Sequence, residues 1–116
     1  MLALLLSMPL SALLANPSGP DGKLTVDSVN LSARQFFKAY MSTDAGEREH
    51  AELYLLGVMD ATEGQTWCSY RKFKTVTLRE RVFEGLRKME ATRLEERAAT
   101  VIGRILSERY PCGARK

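Results

Sequence analysis

Thr92–Cys112 reads TRLEERAATVIGRILSERYPC, and its spacing decides the fold class. Leu94, Ala98, Val101, Ile102, Ile105 and Leu106 recur at three and four residues, so one face of a helix is apolar and the other carries Arg and Glu. Thr92 followed by Glu95 has the form of a capping box, and Pro111, which has no N–H to donate, ends the helix just before Cys112.

The same grammar recurs upstream. Ser32 with Gln35 forms a second capping box, Leu31 is placed as a hydrophobic staple, and Phe36, Phe37, Tyr40 and Met41 make a stripe. Asp44 with Glu47 opens another helix, expected to run to about Thr66, with Ala51, Tyr54, Leu55, Val58 and Met59 on one face. Gly57 inside it costs roughly 1 kcal/mol against Ala, so close approach of a neighbouring helix is the expected compensation. Asp60 is expected to fix a contact near that helix end, and Trp67 to cap the core. Thr77 with Glu80 caps a further helix burying Leu78, Val82, Leu86 and Met89, after a polar loop over Ser69–Thr77. The expected fold is all-α: a small compact bundle of about four helices.

Outside this region the chain changes character. Residues 1–15 (MLALLLSMPLSALLA) carry no charge and read as the apolar region of a secretory signal peptide with a cleavage site after Ala15. Pro9 and the breaker-rich NPSGPDG that follows oppose a buried helix. Residues 16–30 then read as a flexible linker or tail, with Leu24, Val26 and Val29 able to add a short extended stretch, and 31–116 as the folded domain. Export to an oxidising compartment makes a disulfide the default state of the two cysteines, Cys68 and Cys112. Closing a loop of about 45 residues removes roughly 4 kcal/mol of unfolded-state entropy, a large gain for a chain with a small core.

Composition narrows the function. The chain has 116 residues and a net charge of +3, with Lys and Arg interspersed with Glu rather than gathered into the stripe that nucleic-acid binding requires. One histidine, His50, and two distant cysteines cannot furnish a tetrahedral zinc site, and no Gly-rich phosphate loop is present. No cofactor, metal or catalytic set is expected, and no nucleic-acid partner. Tyr70, Arg71, Lys72, Phe73 and Lys74, contiguous on the loop after Cys68, are the expected partner-binding residues, because aromatics and Arg dominate interface hot spots. Leu53 and Leu56 lie off the main stripe of their helix, which points to a homodimer.

The order Tyr54-Leu-Leu-Gly57-Val-Met-Asp60-Ala61, Gly64, Trp67-Cys68 and Tyr110-Pro111-Cys112 resembles the Rap/Tai family of type VI secretion immunity proteins, across about Leu31–Cys112. Many members carry a further cysteine pair in the first two helices, where this chain has none. The resemblance implies a periplasmic, disulfide-bonded, often dimeric helical protein that binds a peptidoglycan amidase effector and occludes its active-site cleft. The rival reading is a small periplasmic holdase or acid-stress chaperone, loosened when the acids of its helices titrate.

Overall fold

The computed structural model describes residues 23–113. The signal-peptide reading of residues 1–15 and the linker up to Gly22 fall outside the described residues. Four α-helices follow one another: α1 (Ala33–Tyr40), α2 (Ala45–Thr62), α3 (Thr75–Arg87) and α4 (Ala98–Arg109), with a 3-10 turn at Ala91–Glu95. Among the described residues there is no β-strand, only two isolated bridges. The protein is all-α.

The centre of the bundle is α4, which packs against each of the other three helices. Its sequence explains the position, since Ala98, Val101, Ile102, Gly103, Ile105 and Leu106 are all buried and cover more than half the circumference of a twelve-residue helix. Phe36, Leu55, Met59, Trp67, Leu78, Val82 and Leu86 complete the core. At Gly85 the α3–α4 approach is so close that a Cβ would lie 2.7 Å from Ile105 Cδ1.

The Ser32 capping box forms in full, with Ser32 Oγ accepting the Gln35 N–H and Gln35 Oε1 accepting the Ser32 N–H. Several boundaries differ from expectation. Asp44 caps α2 through the Gly46 N–H, but Glu47 does not complete a box; its buried carboxylate instead accepts the Leu24 N–H at 2.7 Å. That bond, with Leu24 8% exposed in the core, ties the Lys23–Asn30 segment to the body, and a turn over Thr25–Ser28 leaves Val26 outside. Met41 drops out of the α1 stripe into solvent.

α2 ends at Thr62 rather than Thr66. Gly64 at φ +88° turns the chain back, and its N–H donates to the Trp67 carbonyl. α3 starts at Thr75, two residues before the expected Thr77 cap, with Lys74 at the N-cap position and no side-chain cap. The Thr92–Glu95 box does not open α4: those residues form the separate 3-10 turn, and α4 begins at Ala98. The break has a tertiary cause. Ala33 donates to the Glu96 carbonyl and Ala98 to the Leu31 carbonyl, so pairing with the start of α1 holds Glu96 and Arg97 extended. Arg34 to Glu95 and Arg97 to Asn30 reinforce the same seam.

Gly57 corrects a further expectation. It is exposed, and among the described residues nothing lies within 4 Å of where its Cβ would stand, so none of the four helices approaches it there.

Candidate functional site: the loop on the disulfide

Cys68 and Cys112 are bonded, with Cα atoms 4.9 Å apart, which joins the chain after α2 to the chain after α4. The Cys68 N–H also donates to the Tyr110 carbonyl at 2.9 Å, so a covalent and a hydrogen-bonded link lie side by side. Trp67 is fully buried beneath them. Its Nε1–H donates to Thr62 Oγ1 (3.0 Å), whose hydroxyl donates in turn to the Val58 carbonyl (2.7 Å). The polar edge of the Trp67 ring is thus satisfied from the end of α2. Pro111 is exposed beside the disulfide.

On this base stands a tight loop, Ser69–Lys74. The Ser69 carbonyl accepts the N–H groups of both Lys72 and Phe73, each at 3.1 Å. The five expected binding residues divide into two sets. Tyr70 meets Trp67 edge-on, with ring centroids 5.1 Å apart, and Phe73 packs on Tyr110 at 4.2 Å. Both rings are half-buried and face the body. Arg71, Lys72 and Lys74 are exposed, and among the described residues none of them has an ion pair. The physical reason is local: a loop of six residues anchored at both ends has no core of its own, and its rings bury against the nearest apolar surface, Trp67 and Tyr110.

Electrostatics around Tyr70 follow from this placement. Burial pushes its phenol above the ordinary range, and the carboxylates of Asp60 and Glu63 push it further the same way. The hydroxyl oxygen is buried and has no hydrogen-bond partner among the described residues. Asp60 itself is exposed, and its side chain forms no hydrogen bond among the described residues; what it contributes is a field on Tyr70. Tyr54 is half-buried against Phe36 (5.6 Å), and burial raises its phenol while a hydrogen bond with the backbone of Ala99 opposes the rise.

A second surface lies on the outside of α2. Leu53 is 59% and Leu56 47% exposed, and Leu53 also borders a groove of about 550 Å³ lined by Leu24, Val26, Leu31, His50 and Tyr54. Sequence reasoning found Leu53 and Leu56 from their position off the stripe. It missed the groove, because nothing in the weak alternation of Leu24 and Val26 shows that the segment folds back onto α2.

Among the described residues no cluster of three or more His, Cys, Asp and Glu side chains could hold a metal ion, and no helix is long and apolar enough to cross a membrane. Comparison with curated proteins finds no match. The model of the Rap1a immunity proteins matches residues 28–112, from the turn before α1 to the second cysteine of the disulfide. The match spans all four helices and the loop on Trp67, and the chain belongs to the Rap1a immunity protein family.

Proposed function

We propose that this chain is a periplasmic immunity protein that binds a peptidoglycan amidase effector of a type VI secretion system and inhibits it by filling its active-site cleft, without catalysis of its own. The family match over residues 28–112 carries the reading. The loop supports the mechanism: Arg71, Lys72 and Lys74 project from a segment held at both ends by the disulfide and the two ring contacts. A pre-ordered cationic protrusion loses little conformational entropy on entering a concave acidic groove. Its charge speeds the encounter, while Tyr70 and Phe73 hold the loop's shape. A homodimer through the Leu53 and Leu56 face of α2 would bury the apolar surface left outside this bundle.

The test is inhibition of peptidoglycan hydrolysis by the cognate enzyme. Replacing Arg71, Lys72 and Lys74 together by Ala should slow association and flatten its salt dependence while the helix content stays constant. Full protection at unchanged association rate would remove the loop from the interface. Sedimentation across micromolar to near-millimolar concentrations tests the dimer, and a monomer throughout would reject it.

A further inference from the structure

The four half-buried arginines of the described chain are not equivalent. Arg48 donates to the Ser42 carbonyl at 2.9 Å, Arg79 lies 3.9 Å from Glu52, and Arg104 lies 3.0 Å from Glu96. Arg81 has no hydrogen bond or ion pair among the described residues, and its Nε is buried without a partner. Glu84, whose carboxyl feels the charge of Arg81, is already taken by Arg87 (2.9 Å) and Lys88 (4.0 Å), and the Arg87 bond holds that carboxyl below the usual range. The Nε has no access to solvent, so the part of Arg81 that a partner can reach is its terminal Nη pair, which makes no bond among the described residues.

The surroundings specify that group. Arg81 separates two grooves along the α3–α4 seam. One, of about 330 Å³, is lined by Gly85, Met89, Ile105, Arg109 and Glu108 besides Arg81, so it holds two arginines and one glutamate, while the other also carries Glu80 and Glu84. The floor is rigid, since the seam closes directly on the glycine. The other groove is bordered by Tyr110, the ring on which Phe73 rests, and so adjoins the loop.

We propose that Arg81, with Arg109 beside it, receives a carboxylate from an acidic side chain of the protein partner, whose aliphatic stem rests on Met89 and Ile105. The site resting on α3 and α4 extends the recognition surface beyond the loop, and the inference depends on the reading of the chain as an effector-binding protein. A guanidinium whose stem is already packed is the group best suited to a bidentate carboxylate contact, because little rotamer freedom remains to be lost.

Acetate is the first probe, used on the isotope-labelled chain without any effector. The Arg81 Nε–Hε resonance and the Ile105 methyl resonances should shift saturably with acetate and stay still in chloride of equal ionic strength. Arg81→Gln and, separately, Arg109→Gln should weaken or abolish the Ile105 shift. A shift that chloride reproduces, or no saturable shift at all, overturns the carboxylate site and leaves the proposed immunity function standing. The second arm titrates Arg81→Gln against the cognate hydrolase, where binding should weaken about tenfold or more at unchanged melting temperature. Acetate binding with unaltered inhibition by that variant would overturn the assignment to partner recognition. Loss of inhibition by the wild-type chain itself would instead strike the immunity reading.

Discussion

Two glycines of this bundle should respond to the same substitution with opposite signs. Gly57 is exposed in the middle of α2, and among the described residues no atom lies within 4 Å of its Cβ position. Gly57→Ala should therefore gain the full propensity difference, about 0.8–1 kcal/mol, with no steric term to set against it. Gly85 receives the same propensity gain, but its Cβ would stand 2.7, 2.9 and 3.0 Å from Cδ1, Cγ1 and Cγ2 of Ile105. Two of those atoms belong to the stem of the side chain, so a rotation of the tip does not relieve the contact. Overpacking of that kind costs about 1–3 kcal/mol, which places Gly85→Ala between neutral and about 2 kcal/mol less stable. For a domain of this size the expected melting shifts are about +4 to +8 °C for Gly57→Ala and downward by up to about twice that for Gly85→Ala. Calorimetry on dilute protein reads both. The reasoning is refuted if Gly57→Ala fails to stabilise the monomer or Gly85→Ala raises the melting temperature. Run at high concentration, the same Gly57 variant also reports on the proposed dimer, since an added methyl at a close helix crossing would weaken association while the monomer is strengthened.

Other outcomes follow from the loop and its surroundings. Cys68→Ser should lower stability by about 2–5 kcal/mol in denaturant unfolding, because the bond closes a loop with a sequence separation of 44. Phe73→Ala should cost about 2 kcal/mol of folding stability, measured the same way, since its ring is half-buried and lies 4.2 Å from Tyr110; an unchanged midpoint would show that the ring does not pack as described. The carboxyls of Glu84 and Glu96 are both held low, Glu84 chiefly by the hydrogen bond from Arg87 and Glu96 chiefly by the Arg104 guanidinium 3.0 Å away. A depressed folded-state value means that their contribution is present above the unfolded carboxylate range and is lost as pH falls through the lower folded value. Side-chain NMR titration should find both midpoints below that of a free glutamate, and the change in stability across that window should be small because both groups are exposed. That behaviour opposes an acid-triggered loosening of the holdase kind at these two positions.

Helix existence was legible because it depends on short-range periodicity. α1 and its capping box involve residues three or four apart, and α4 is apolar over more than one face, so no distant information was needed. Helix ends were less legible. Glu96 and Arg97 are held extended by bonds to Leu31 and Ala33, more than sixty positions away, and a local capping signal at Thr92 cannot reveal that competition. Glu47 failed in the same way, its carboxylate drawn to Leu24 instead of to its own helix end. In the candidate site, residue types identified the loop but not its orientation. Which of Tyr70, Arg71, Lys72 and Phe73 faces outward depends on where Trp67 and Tyr110 lie, and the second of these comes from the far end of the chain. Arg81 carried no signal, since an arginine between two glutamates on a helix reads as an ordinary surface pair.

The hydrogen bond from Leu24 to Glu47 bears on where this protein can be cut. The family match starts at residue 28, yet the packed unit reaches back at least to the leucine whose side chain enters the core and whose amide satisfies a buried carboxylate. A fragment trimmed to the match would keep all four helices and the disulfide while opening a leucine-sized vacancy and stranding Glu47 without its donor. Both defects are of the kind that cost several kcal/mol. The fold reaches back at least to this backbone amide, four residues outside the region that sequence comparison delimits.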